Sequence, residues 1–417
     1  SLGIYGHAGL LSGAGGVAAG GAIVTGVITN SVNAFVQNSD LIASNIILSS
    51  VVDETMGTSS NPFITIAVAG SGGASISGAV NTLVLNSSSN TKVKGKKTSG
   101  LVADNKLAIS SDSNTNLFLT SGVGAVGSVG VGGTVSTVVI NKTLNATAED
   151  TILTANKVDI DTVAKDEITN VAVAGGLGVS GSVTGAINTT VISSNSNAGI
   201  KNSTVKADDV SVDANNKASY FNTTGAISGG ATVGIGASVV TNVVGYNTSA
   251  FIDNSSVRAK NGTSNAKKIS VKADTQTDYD LYAVSGVISG VFALGGVVET
   301  NVVNNTVEAY VSGNVDGIHS DTLEVSAKDT VNFNGIAGTL SVGLGCGVGA
   351  TVQTNSVTSS IISYIGGNIS SSDIDVASEG VQNFNDLAVI GFAGGSFAVG
   401  GSSLVNMTEA TSKAYID

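Results

Sequence analysis

Ala34-Phe35-Val36, Thr91-Lys92-Val93, Ala146-Thr147-Ala148, Ala198-Gly199-Ile200, Ala250-Phe251-Ile252, Ala309-Tyr310-Val311, Ser363-Tyr364-Ile365 and Ala414-Tyr415-Ile416 repeat one pattern: a small residue, a variable residue and an aliphatic. The seven steps from Ala34 to Ala414 give a mean period of roughly 54 residues. A repeat of this size means that each unit buries its apolar face only by stacking on its neighbours. The eight units fill residues 1–417 as one continuous array, and both Ser1 and Asp417 fall inside the pattern. The sequence therefore reads as a piece of a longer protein.

Working outward from the marker, each unit contains a second signature, an aliphatic pair at alternate positions. It runs Ile46/Leu48, Leu107/Ile109, Val158/Ile160, Val210/Val212, Ile269/Val271, Leu323/Val325 and Ile374/Val376. Asp, Ser, Lys and Glu flank these pairs, so one face is buried and the other wet, which fixes the strand register. A Gly-rich stretch with its own period-two alternation precedes each marker, as in Val171, Val173, Leu177, Val179 and Val183. β-Branched residues dominate the periodic positions, and 55 glycines would each cost a helix interior about 1 kcal/mol. The expected fold is all-β, a right-handed parallel β-helix or β-solenoid. A round turn of 54 residues would be about 180 Å in perimeter, too wide for these side chains to fill. The expectation is therefore two coils of about 27 residues per repeat, one Gly-rich and one carrying the aliphatic pair, with equivalent positions near 9.6 Å apart.

Three recurring features read as structural. Glycine pairs such as Gly20-Gly21, Gly132-Gly133 and Gly295-Gly296 fit tight bends or close backbone approach, with a face kept smooth for another chain as the alternative. Asn242, Asn301, Asn355 and Asn406, each eight residues before a marker, fit stacked corner asparagines. Phe221, Tyr279, Phe333 and Phe384 close four successive units and fit stacked plugs at a corner.

Composition excludes several functions. Charged residues are 12% of the chain, the net charge is −12 and Arg258 is the single arginine. Nucleic-acid binding is not expected, because phosphate contacts need clustered Lys and Arg. The densest basic run, Lys92 to Lys97, reads as a solvated segment that discourages edge pairing. Cys346 is the only cysteine, so neither an internal disulfide nor a thiolate cluster is available. His7 and His319 lie in different units, and no His, Asp and Glu set has metal-ligand spacing. Asp159/Asp161, Asp208/Asp209 and Asp373/Asp375 sit beside the aliphatic pairs on the wet face, with calcium binding the minor alternative. No catalytic residue, cofactor or metal is expected, and no enzyme. The charge-free stretches interleave Gly, Ser, Thr and Asn with Val and Ile, so a membrane-spanning helix is not expected either. A transmembrane β-barrel would want aromatic girdles, and aromatics total 4% without Trp.

The phrase Thr300-Asn301-Val302-Val303-Asn304-Asn305-Thr306-Val307-Glu308-Ala309-Tyr310-Val311, followed by Leu323-Glu324-Val325-Ser326-Ala327, resembles repeats of large secreted bacterial proteins. These are the filamentous-haemagglutinin-like adhesins, and among them the fusobacterial leukotoxin-type filamentous adhesins. The resemblance covers all eight units and lies in scaffold positions. It implies type V secretion as an autotransporter-like passenger, a β-helical rod, a place on the cell surface or release from it, and a host-cell receptor or glycan as partner. The expected function is a non-catalytic rod segment of an adhesin; the alternative is a segment of a leukotoxin-like cytotoxin. The candidate binding stripe is Phe251, Tyr310, Tyr364 and Tyr415, the variable residues of the last four markers, which must face outward if their two neighbours face the core.

Overall fold

The fold is described from a computed structural model, which covers residues 2–4, 6–60, 62–96, 98 and 100–417. Lys97 of the basic run and Ser1 lie outside the described residues. The described chain is all-β, and its strands pair in parallel.

The path is clearest in three successive strands, Thr204–Gly230, Val233–Arg258 and Ala266–Ser289. Side-chain hydrogen bonds tie the first two together in a nested series. Asn216 Nδ2 donates to Thr248 Oγ1 at 2.6 Å, the Tyr220 and Tyr246 hydroxyls bond, Asn222 Nδ2 donates to Asn242 Oδ1 at 2.6 Å, and Ile235 N donates to Ser228 Oγ at 3.2 Å. The nesting closes on the bend between Gly230 and Val233, so the chain runs out along one side and returns facing it. Thr248 and Thr275 hydroxyls then bond at 2.7 Å, which brings the next outbound side over the same return side. In some repeats the strand passes unbroken through the bend, as in Gly100–Glu149 and Ile152–Lys201.

The backbone pairs with the equivalent residue one whole repeat away. Ala198 pairs with Ala250, Ala250 with Ala309, Ala309 with Ser363 and Ser363 with Ala414. The aliphatic pairs align in the same way, Val158 with Val210, Val210 with Ile269 and Ile269 with Leu323. This overturns the expectation of two coils per repeat and of equivalent positions near 9.6 Å: each repeat makes one pass out and back, and equivalent residues are direct strand neighbours. The physical reason is flattening. The two sides lie against each other as packed sheets about 10 Å apart do, so a long perimeter encloses only one layer of side chains from each side. The Gly-rich and aliphatic-pair segments are opposite ends of one out-and-back pass of the chain, not separate coils.

The end bearing the markers has an orthodox core. Val210, Val212, Ala250, Ile252, Val257, Ile269 and Val271 are buried together. A second cluster in the middle includes Leu83, Leu117, Tyr220, Tyr246, Tyr279 and Phe333. There the plug residues need correction. Tyr220, Tyr279, Phe333 and Phe384 form the stacked column, whereas Phe221 points outward and tilts against Tyr282. The column lies within strands and not at a corner. Tyr220 holds the inward parity and Phe221 the outward one.

Asn242, Asn301, Asn355 and Asn406 do stack, each Nδ2 donating to the next Oδ1 at 2.7, 2.6 and 2.8 Å, but on the inward side of the return strands, where Asn242, Asn301 and Asn355 are buried. The residues that turn the corner are others. Asn38, Asp150, Asn202 and Asn254, each two residues after a marker, have φ between 45° and 52°, the left-handed region that Asn and Asp tolerate. Asn254 Nδ2 also donates to Asn202 Oδ1 at 2.8 Å, up the stack.

Polar pairs cross the interior between the two clusters. Asn30 and Ser87 donate to Glu54 at 2.5 and 2.7 Å, Lys142 pairs with Asp166, and Asn305 and Ser359 donate to Asp329 at 2.9 and 2.5 Å. Lys142 and Asp166 are fully enclosed. Desolvation of such a pair is expensive, and removing one partner leaves an uncompensated charge.

The bend end is inverted. Its interior is lined by small polar side chains such as Ser75, Ser77, Ser121, Thr134, Thr184 and Ser228, all buried. Its outer faces carry Ile76, Val183, Ile227, Ile288, Leu340 and Phe397, all exposed. No helix among the described residues is long and apolar enough to cross a membrane.

Two outcomes follow from this interior. Lys142→Met should destabilise the chain by about 3–5 kcal/mol, and adding Asp166→Leu should recover most of that loss; chemical denaturation of both variants measures it. Glu299 is buried, and desolvation, with Asp386 nearby, pushes its carboxyl up to about 7 despite hydrogen bonds from Asn301 and Gln353. A folded-state value above the ordinary 4.5 means that the folded chain holds the proton longer, so stability is greatest at low pH and falls as pH rises from about 4.5 to about 7. Asp161, raised to about 6 by burial and by Asp112, Asp159 and Asp213, acts in the same direction. The melting temperature should be higher at pH 5 than at pH 8, and Glu299→Gln should flatten the difference; a profile unchanged by that substitution would refute the assignment.

Candidate binding surface

The marker positions the proposed stripe by parity. Ala250 and Ile252 are buried, so Phe251 between them faces out, and the same holds for Tyr310 between Ala309 and Val311. Direct pairing then stacks Phe251, Tyr310, Tyr364 and Tyr415 on consecutive strands. Ring centroids are 5.5, 4.9 and 5.3 Å apart, with interplanar angles of 13°, 2° and 8°. The column ends where Phe251 lies over Gly199: a Cβ there would sit 2.2 Å from the ring.

This geometry determines what the stripe offers. Ring faces are occupied by one another, so a partner meets ring edges and the hydroxyls of Tyr310, Tyr364 and Tyr415, with one open face at the Tyr415 end. Desolvation raises the Tyr310 phenol, and Asp253, Tyr364 and Glu308 raise it further. The Tyr364 phenol is pushed up to about 12 by desolvation and by Glu308, Tyr415 and Asp253. Both phenols therefore remain protonated donors at neutral pH, beside acidic groups that disfavour an anionic ligand. The equivalent positions in the first four repeats, Phe35, Lys92, Thr147 and Gly199, form no such column. Lys92 instead pairs with Glu149 at 2.8 Å. Those repeats carry an asparagine ladder two residues earlier, Asn197 to Asn145 to Asn90 to Asn33, at 3.0, 2.7 and 3.1 Å.

The carboxylates on the outer face of the aliphatic-pair strands are ion-paired or half-buried, burial raising the Asp161 carboxyl. Asp159 lies 2.8 Å from Lys106 and 2.9 Å from Lys157, and Glu324 lies 2.8 Å from Lys268. Among the described residues, no three His, Cys, Asp or Glu side chains are grouped to hold a metal ion.

Sequence reasoning passed over one further site. A polar pocket of about 480 Å³ opens at the corner after the markers, lined by Lys206, Arg258, Asp316, His319 and Asn368 among others. Arg258 Nη2 lies 2.8 Å from His319 Nε2 and donates to the Asp316 carbonyl at 3.3 Å. The available signal was that the only arginine and one of two histidines fall in lengthened corners, 253–265 and 312–320, of adjacent repeats.

Replacing Phe251, Tyr310, Tyr364 and Tyr415 together by Thr keeps a strand-forming residue at each position and removes three stacked contacts, each contributing up to about 1 kcal/mol. The melting temperature should fall while retention on host cells is unchanged, because the ring faces are already satisfied. Lost retention at an unchanged melting temperature would reverse that assignment.

No family model, curated protein or solved structure matches this chain.

Proposed function

We propose that the chain is a non-catalytic rod segment of a large adhesin, a β-solenoid with one flattened turn per repeat, displayed on a bacterial surface or secreted. The observation that carries this reading is the pairing of each repeat with the next at equivalent residues over the whole described length. Such an arrangement lengthens by one strand spacing, about 4.8 Å, for every repeat added, and presents each outward position as a straight column. A long chain of such repeats is a stiff spacer with ladder-like surfaces, as the resemblance to filamentous-haemagglutinin-like and leukotoxin-type adhesins implies. The partner is a host-cell receptor or neutral glycan, met by the asparagine ladder of the return side and not by the stacked rings. Beads coated with the purified chain should be retained on host cells above an albumin-coated control, and the soluble chain should release no dye from leukocytes. Dye release would favour the cytotoxin alternative; absence of retention would remove the adhesive role.

A further inference from the structure

The outer face of the return side carries a column that nothing within the chain explains. Direct pairing aligns Gly21, Gly78, Gly133, Gly185, Ala237, Gly296, Ala350 and Gly401, six glycines and two alanines, on consecutive strands. Pairing is continuous through each of these positions, so none is a bulge, and none has positive φ. A Cβ added at Gly133, Gly296 or Gly401 would meet nothing within 4 Å. Glycine weakens a strand interior, and its remaining use there is the close approach of another backbone. The outbound face differs. There an apolar groove of about 660 Å³ is bordered by side chains that lean into the glycine gaps, such as Leu177 at 2.8 Å from a Cβ on Gly229 and Leu340 at 3.0 Å from one on Gly391. That face fills its gaps at Gly229 and Gly391 and stays open at Gly286, whereas the return-face column is open at Gly133, Gly296 and Gly401.

The flanks of the open column are apolar ridges. Exposed Ile76, Val183 and Leu294 lie two residues before it, and Ile187, Val298 and Val352 lie two residues after. A threonine column from Thr25 to Thr354 follows, four residues beyond the glycines. A fluid lipid phase would gain from larger side chains in the gap and would leave the threonine hydroxyls without partners. A rigid partner that matches the groove must repeat at the strand spacing, and a second copy of this face does so.

We infer that two copies of this chain pack side by side, return face to return face, about a two-fold axis parallel to the stack of strands and lying between the glycine column and the aliphatic column that follows it. That axis places each glycine opposite the Ile or Val ridge of the partner, and each threonine opposite the aliphatic ridge that precedes the glycines, so small meets large in the four inner columns while the aliphatic columns of Val17 and Val27 meet at the rim. The face between the columns of Val17 and Val27 measures roughly 33 Å by 34 Å over eight strands, which buries about 2,200 Å² in the pair. A specific, stable interface needs about 1,200–2,000 Å². An isologous contact of this kind is also the commonest closed symmetry. The inference does not depend on any adhesive role.

Sedimentation of the intact chain at micromolar concentration should give twice the chain mass. Gly133→Lys, Gly296→Lys and Gly401→Lys combined should give a monomer with the parent melting temperature, since those side chains point into open space. Ile227→Lys on the outbound face should leave the dimer intact. In a Cys346→Ala background, an equal mixture of Gly133→Cys and Val135→Cys chains should cross-link with a short bismaleimide into mixed dimers, in preference to either chain alone. A monomeric parent, a triple variant that still dimerises, dissociation by Ile227→Lys, or flotation of a monomeric parent with phosphatidylcholine vesicles would each overturn the inference.

Discussion

The ladders of this chain depend on one constraint: outside a few irregular corners, the backbone of each repeat pairs with its equivalent one whole repeat away. Parallel pairing in that register turns any residue type that recurs in the sequence into a continuous column in space. The aromatic ladder, the buried asparagine ladder and the open glycine column are all products of it. The same register makes the ladders cooperative, because a substitution in one repeat touches the repeats above and below but no others.

Flattening is the second consequence. With two sides facing each other across one layer of side chains, every inward residue has a partner on the opposite side. The interior is therefore not a uniform oil drop. It passes from an aliphatic core at the marker end, through enclosed polar pairs such as Lys142 with Asp166, to a lining of Ser and Thr at the bend. Small polar groups suit the bend because the section is narrow there: a Cβ on inward-facing Gly295 would come within 2.4 Å of Ser341 Oγ. Apolar side chains displaced from that narrow interior occupy the outer faces.

The marker tripeptide illustrates how far local pattern reaches. Parity alone put Phe251, Tyr310, Tyr364 and Tyr415 outward, and the regular spacing put them in one line. Parity could not reveal that their rings stack face on face and leave only edges for a partner, since that depends on the distance between strands. The Arg258 pocket lay beyond pattern altogether, being formed where two irregular corners of neighbouring repeats meet.

The sequence by itself determined the period, the all-β alternation, the inward and outward parity of each strand and the alignment of the Ala-x-aliphatic and aliphatic-x-aliphatic columns, because period-two burial is a property of the local chain. Tertiary structure decided how many turns a repeat makes, because a two-turn and a one-turn winding share the same alternation and differ only in which residues hydrogen-bond. It also decided which residues meet across the interior. Tyr220 rather than Phe221 joins the buried column, and Asn254 rather than Asn242 turns the corner, because both outcomes depend on where the chain reverses. That reversal is set by packing two sides into one thin section, a constraint that no single stretch of sequence contains.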